Sequence, residues 1–532
     1  VPEPATVAAR AARRTGFAAA VAGGTLYFLG YLGWGAWPCL LGFLAPLWWA
    51  LTLPSVGGAT AALTGLVFGF TAYAGGHLWL WALVGPFLDG HRMTAAVLWL
   101  VYGIWFALAF ALYAVLFHTI RQRGWSVAVA GIAPFVAVEW LQPQIFPLYA
   151  GNGLIAAPVW AQTADLGGPL LLTALLGGAN LVVFETATWW RQRRRRPVAV
   201  WTIGIALTLA VFTYGRVRML AVETASAEAP AIRVGLVQAN LDVHAKDALG
   251  IVTHREHLEQ TRELLRAGEL DLVVWPESAY VRGIRRPLPV ASGPIVAEIA
   301  VPLLFGASST HEAGGRKVKS NAAFLAGADG MIREAYDKNL LIPLAESLPF
   351  GTVLPALARL FPHAEEFAAA TTLPALSLGP WRIATPICYE AIRPEFVRRM
   401  MNAGHPHLLV TLANDAWFGD SQEPWLHLAL AQLRAVEQRR WLVRATNSGV
   451  SAIVDPAGRV LARTGLLTRE NLRGTVHPLD GVTVYARLGD WPGWLALAVV
   501  ALTLAFPSRA AAAFHTGGDA SHDRVVARRE QT

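Results

Sequence analysis

The sequence predicts a two-part molecule: a bundle of about eight transmembrane α-helices joined to an α/β layered sandwich. Three observations predict it. Hydrophobic residues make up 54% of the 532 residues and charged ones only 15%, too apolar a balance for a wholly soluble chain. The apolar residues are concentrated in residues 16–218, broken only by short polar or basic loops, and in a last run, 491–506, before a polar tail. Residues 231–480, by contrast, alternate strand-like and helix-like segments of ordinary composition. The expected divisions are 1–220 with seven membrane helices, 221–490 as a globular domain, and 491–532 as a final membrane helix and tail.

A bilayer core needs about 20 apolar residues per helix. The runs that meet or approach this are 16–34, 37–54, 58–82, 94–120, 125–142, 168–189, 198–218 and 491–507. Basic residues set the orientation. AARAARR precedes the first run, RQRG (121–124) follows the fourth, RQRRRR (191–196) follows the sixth, and RVVARRE lies in the tail. With alternating passes these share one side, which the positive-inside rule makes cytoplasmic. Residues 219–490 then lie outside the cytoplasm. The net charge of +8 is spent on these loops, which argues against a nucleic-acid partner. His77, Glu139, Asp165 and Glu185 interrupt the apolar half. Carboxylates there are functional candidates by default, but these three sit near span ends and read as structural groups.

In the globular half, AIRVGLVQA (231–239) and LDLVVWPE (270–277) read as strands flanking a helix over 253–268, with Thr253 as its cap and Gly268 as its stop. Asp329-Gly330 marks a hairpin between AAFLA and MIREAY, and Pro456 with Gly458 marks a second. A helix over 423–440 carries Trp425, Leu428, Ala429, Leu433 and Val436 on one face.

Three strand ends carry chemistry: VVWPE ends in Glu277, REAYDK in Lys338, and ATPICYE in Cys388 and Glu390. Groups at strand ends can converge in one crevice of an α/β domain. A thiol becomes a nucleophile when a base takes its proton. A carboxylate can take that proton and return it to a leaving group. An ammonium, with the backbone N–H after the cysteine, can hold the oxyanion of a tetrahedral intermediate. Glu277, Lys338 and Cys388 are together a complete set for acyl transfer. Each alone has a plainer reading, as a polar strand end, a surface cation and a small buried hydrophobe. No zinc-ligand spacing occurs. Cys39 lies in an apolar run and Cys388 in the globular part, which argues against a disulfide.

VVWPESA, YDK, CYE and NDAWFGDS with PW.H resemble the nitrilase (carbon–nitrogen hydrolase) superfamily, and the layout of the whole chain resembles its membrane branch, the apolipoprotein N-acyltransferase family. The resemblance implies a nitrilase-like αββα sandwich outside the cytoplasm. It implies Cys388 as nucleophile, Glu277 as general base and acid, and Lys338 as the oxyanion-stabilising cation. Glu346 matches a second glutamate after the lysine, and Asn321 an asparagine before the lysine strand. Tyr389 and Glu390 would line or support the site, and Trp417 and Phe418 match a loop at the acyl-binding mouth. Departures are Leu340 for a usual histidine, Leu344-Ala345 for Phe-Gly, a missing tryptophan with Asp247 near its place, and FPLYAGN (146–152) for the usual FPW. The implied reaction moves an acyl chain from a membrane phospholipid to the α-amine of a diacylglyceryl apolipoprotein through a cysteine thioester. It needs no cofactor or metal and is expected of a monomer in the bacterial inner membrane. The alternatives are a membrane-tethered hydrolase or acyltransferase with another acceptor, and a non-catalytic receptor or transporter.

Overall fold

The computed structural model describes residues 4–31, 34–54, 56–84, 90–192, 195–241, 250–287, 299–313, 315–348 and 366–508. Asp247 and the basic tail motif lie outside the described residues. Every apolar run named above contains helix. The long ones are Pro4–Gly30, Gly58–Gly76, Arg92–Gln122, Ala164–Gln192 and Val198–Glu228, and the shorter ones are Leu44–Leu51, Val127–Leu141 and Trp491–Ala505. Three of these, Arg92–Gln122, Ala164–Gln192 and Val198–Glu228, are long and apolar enough to cross a membrane. A fourth qualifies if Gly58–Gly76 and the 3₁₀ segment Leu78–Val84, bent by 48° at their junction, form one span. The count of eight is therefore not confirmed. Val127–Leu141 and Trp491–Ala505 have only 15 residues each, and at 1.5 Å per residue fall short of a bilayer core.

Two faces of the bundle suit lipid and not water. Arg92–Gln122 exposes Val97, Val101, Leu108 and Leu112, and Val198–Glu228 exposes Ile203, Ile205, Leu209 and Val217. Inside, Gly58–Gly76 and Arg92–Gln122 come into backbone contact: a Cβ on Gly65 would lie 2.2 Å from the Phe110 carbonyl oxygen. Small residues at such crossings let helices pack without a hydrophobic drive from water.

The globular half is built from thirteen described strands. In chain order they are β1 (Ile232–Gln238), β2 (Leu272–Val274), β3 (Tyr280–Arg285), β4 (Leu303–Ala313), β5 (Arg316–Ala326), β6 (Ile332–Asp337), β7 (Leu376–Leu378), β8 (Trp381–Ala384), β9 (Leu408–Ala413), β10 (Trp441–Thr446), β11 (Ala452–Val454), β12 (Val460–Arg463) and β13 (Glu470–Val476). One sheet runs β13-β1-β2-β4-β5-β6 with β3 beside β4, and the other β12-β11-β10-β9-β8-β7. Strand β1 shows how the layers form. Val234 and Leu236 join the core shared with the second sheet, while Val237 faces the core under the helix Gly250–Arg266. The second sheet is covered by Pro394–Gly404 and Glu423–Gln438. Both expected hairpins form, with Gly330 at φ +76° and Gly458 at φ +82°. The helix expected to start at Thr253 begins instead at Gly250. Thr253 is buried inside it, and its carbonyl meets His257 Nδ1 at 2.7 Å.

Glu423–Gln438 was expected to bury one face and buries two. Leu428, Ala431 and Ala435 pack on the sheet, whereas Leu426, Leu430, Leu433 and Val436 join the core of the membrane half. A helix apolar on both sides belongs between two bodies. A buried ion cluster ties the same two bodies together. Asp165 accepts from Arg439 Nε (3.0 Å) and Nη2 (2.8 Å), from Arg218 Nε (3.0 Å) and from Tyr214 Oη (2.7 Å). Glu139 likewise accepts from Ala150 N (3.0 Å) and Thr173 Oγ1 (2.9 Å). Both carboxylates are thus satisfied by the fold. Asp165→Ala leaves the buried Arg439 guanidinium without its counter-charge, which should cost about 3–5 kcal/mol. A clear fall in Tm of the purified protein in detergent is the expected result.

Candidate active site

The chemistry-bearing residues follow strand ends, as their position after short apolar runs suggests. Glu277 comes three residues after β2, Lys338 directly after β6, and Cys388 four residues after β8. Antiparallel pairing of β5 with β6 sets Asn321 beside Lys338, whose N–H donates to the Asn321 carbonyl (2.9 Å). The Glu277 backbone lies directly over Gly306 of β4, where a Cβ would come within 2.6 Å of Glu277 Cα and 2.7 Å of Ser278 N. Gly306→Ala must therefore push Glu277 out of place. Displacements of about 1 Å cost on the order of 10²-fold in rate. The expected outcome is that loss in turnover with most of the thermal stability retained, read by activity and unfolding of one preparation.

Lys338 is fully buried between two carboxylates. Its Nζ donates to Glu346 Oε1 at 2.8 Å and to Glu277 Oε1 at 3.2 Å. Asn321 Nδ2 bridges the same two oxygens, at 2.7 Å to Glu277 and 2.9 Å to Glu346, and Glu346 Oε2 accepts from Ile342 N (2.9 Å). Burial alone would pull the Lys338 ammonium down, but Glu277 and Glu346 outweigh it and hold it above the ordinary lysine value. It stays charged at neutral pH.

Cys388 opens the 3₁₀ turn Cys388–Ile392 with a left-handed backbone, φ +51°. A non-glycine residue there stores about 1–3 kcal/mol of strain and persists only where its surroundings hold it. Glu390 supplies one hold. Its Oε2 accepts from Ile387 N (2.8 Å) and Tyr336 Oη (2.8 Å), and its Oε1 from Asn339 N (2.6 Å) and Leu340 N (3.0 Å). One buried carboxylate so ties the cysteine turn to the segment after Lys338. Burial pushes it up to about 7 against these hydrogen bonds. Leu340 contributes through its N–H, which a histidine in its place would also offer. The Cys388 thiol is 7% exposed. Burial first, and the Glu277 charge second, raise it well above the ordinary thiol value, with Lys338 acting in the opposite direction.

A second buried set escaped the sequence reading. Asp415, two residues after β9, accepts at Oδ1 from His427 Nδ1 (2.9 Å) and at Oδ2 from Arg444 Nη2 on β10 (2.7 Å). His427 Nε2 lies 3.2 Å from the Cys388 carbonyl oxygen. Burial would raise Asp415, but Arg444 and His427 outweigh it and hold the carboxyl down at about 2. Both Asp415 and His427 lie in the stretch NDAWFGDS with PW.H, but the 3₁₀ turn Ala416–Phe418 separates them, so spacing gave no sign that they meet.

The site abuts the membrane half. Tyr389 Oη donates to the Ile145 carbonyl (2.5 Å) and Arg393 Nη1 to that of Gln144 (2.7 Å). Phe146 packs edge-on against Tyr389 with ring centres 6.2 Å apart, and Trp79 packs against both Phe146 and Phe418, each at 5.6 Å. Trp417 is half-buried beside Phe418.

Residues 233–480 match the carbon-nitrogen hydrolase family, and residues 23–183 match the apolipoprotein N-acyltransferase N-terminal domain. The apolipoprotein N-acyltransferase of Azotobacter vinelandii is 33% identical over 492 residues, covering 89% of this chain and 91% of that one. That of Geobacter metallireducens is 30% identical over 471 residues (85% and 88%), and that of Pseudomonas aeruginosa strain PAO1 30% over 484 residues (89% and 92%). Similarity that runs through both the helical half and the sandwich, at this identity and nearly end to end, places the chain in the apolipoprotein N-acyltransferase family.

Proposed function

We propose that the protein N-acylates apolipoproteins by a two-step acyl transfer centred on Cys388. In the first step Glu277 takes the thiol proton while sulfur attacks an ester carbonyl of a membrane phospholipid. The negative charge on the carbonyl oxygen is met by the Lys338 ammonium and the backbone N–H of Tyr389. Collapse breaks the ester C–O bond, and Glu277 returns its proton to the departing lysophospholipid oxygen. In the second step the α-amine of a diacylglyceryl-cysteine attacks the thioester. Glu277 accepts the amine proton, the C–S bond breaks, and the proton passes to the thiolate to regenerate the thiol with the amide formed. Glu346 and Asn321 hold Lys338 and Glu277 in register, and Glu390 holds the cysteine turn.

The observation that carries this reading is the left-handed Cys388 turn, tied through Glu390 to the segment after Lys338, with Lys338 held between Glu277 and Glu346. Its surroundings support a lipid donor: Trp79 and Phe146 from the helical half meet Phe418 and Tyr389 from the sandwich. Confinement of both substrates to one leaflet raises their encounter by proximity. On this reading residues 1–220 and 491–532 anchor the enzyme in the bacterial inner membrane as a monomer. Residues 221–490 work on the periplasmic side, with Trp417 and Phe418 at the acyl-chain mouth. Mass spectrometry of lipoprotein N-termini tests the function, in a strain lacking its own N-acyltransferase and carrying this chain. Triacylated N-termini are expected, and N-termini that stay diacylated would reject the reading.

A further inference from the structure

We propose that His427 is a positioning residue that fixes and polarises the peptide unit supplying the oxyanion N–H. The inference rests on the acyl-transfer reading above. Each ring nitrogen of His427 meets an oxygen. Nε2 meets the Cys388 carbonyl at 3.2 Å and Nδ1 the Asp415 carboxylate at 2.9 Å. A carbonyl oxygen offers no proton, so Nε2 is the donor in its contact with Cys388. Asp415 is in turn fixed by Arg444 at 2.7 Å, and His427, Asp415 and Arg444 are 4%, 1% and 0% exposed. Glu423 also approaches Nδ1, at 3.8 Å; burial and then the Asp415 charge raise its carboxyl well above its ordinary value, against the pull of Arg444.

The consequence follows from peptide geometry. The Cys388 carbonyl and the Tyr389 N–H belong to one planar unit. Holding the carbonyl with the His427 N–H therefore aims the Tyr389 N–H and strengthens it as a donor, because linked hydrogen bonds polarise one another. The same bond is a second restraint on the left-handed Cys388 backbone, beside that from Glu390. The Cys388 sulfur, a His427 nitrogen and an Asp415 oxygen lie within 4.8 Å of one another. That closeness raises the rival role of His427 as the thiol's own base, and the test must separate the two.

The test uses full-length enzyme in phospholipid–detergent micelles, with active sites counted by acyl-enzyme burst. His427→Leu should lower the rate of acyl-Cys388 formation per counted site by about 10²-fold, the usual effect of losing an oxyanion donor, with KM changed by less than about 3-fold. His427→Gln, an amide donor of similar reach, should recover about 10-fold of that loss. Alkylation of Cys388 by iodoacetamide forms no oxyanion. Its pH profile in His427→Gln should match that of the unmodified enzyme. An unchanged acylation rate per site in His427→Leu would overturn the proposal, as would a shifted alkylation profile in His427→Gln. Should His427→Leu fail to fold, His427→Gln alone decides, since acylation equal to that of the unmodified enzyme contradicts the role. Failure of the acyl-transfer reading is distinct: the unmodified enzyme itself would then form no acyl-Cys388 from phospholipid.

Discussion

Cys388→Ser is expected to lose N-acylation by on the order of 10⁴-fold or more, the scale on which removing a covalent nucleophile acts. The hydroxyl fits the space of the thiol and leaves the left-handed turn and the Glu390 anchor in place, so folding should survive. What changes is the acid. A serine hydroxyl is a far weaker one than a thiol, and the surroundings already raise the thiol through burial and the Glu277 charge. Glu277 cannot then deliver a competent oxyanion nucleophile. Lipoprotein N-termini from a strain carrying only this variant should be diacylated, while the purified variant keeps the Tm of the unmodified enzyme to within a few degrees. A variant that still supports triacylation would remove the thiol from the mechanism. That result would favour a non-covalent role for the sandwich.

Lys338→Met should lower acyl-enzyme formation by at least about 10³-fold and also destabilise the protein. Two functions are lost together. The oxyanion of the proposed step loses the Lys338 ammonium, worth on the order of 10²–10³ by itself. Glu277 and Glu346 lose the ammonium that holds both at 3.2 and 2.8 Å. Breaking a buried pair by removing one partner costs about 3–5 kcal/mol, because charge is left without compensation. The pH dependence of the stability term has a definite sign. The folded-state value of Lys338 is raised, so its contribution is fully present below the ordinary lysine value of 10.5 and is lost only as pH rises through the higher folded value. The Tm gap caused by the loss of this ammonium should therefore show no decline from about pH 6 to about pH 9. A gap that closes on raising the pH across that range would mean the lysine loses its proton there.

The sandwich was largely legible in the sequence because its signals are local. Strands such as β1 and β2 are short β-branched runs, and Gly330 and Gly458 mark turns that need a positive φ. Glu277, Lys338 and Cys388 stood out for the same reason, as polar residues ending apolar runs. Their partners were less visible. Glu346 is the shorter of the two contacts to Lys338, yet it lies in a loop whose path no periodicity fixes. Glu390 stands in a visible motif, but nothing local says that its oxygens turn inward onto four donors from two segments. Asp415, His427 and Arg444 come from a strand end, a helix and a neighbouring strand; the parallel pairing of β9 with β10 brings Asp415 to Arg444, and the helix packed on that sheet brings His427. The apolar runs located apolar helices but not the number of spans, since hydropathy does not separate a full crossing from a 15-residue buried helix.

On the proposed route the acyl chain passes through the Cys388 sulfur. Incubating the purified enzyme with isotope-labelled phospholipid, quenching in acid and mapping peptides by mass spectrometry tests it most directly. The label should appear as a hydroxylamine-sensitive acyl group on the Cys388 peptide and leave it when a diacylglyceryl peptide with a free α-amine is added. Label that transfers to the peptide without ever residing on Cys388 would contradict the account.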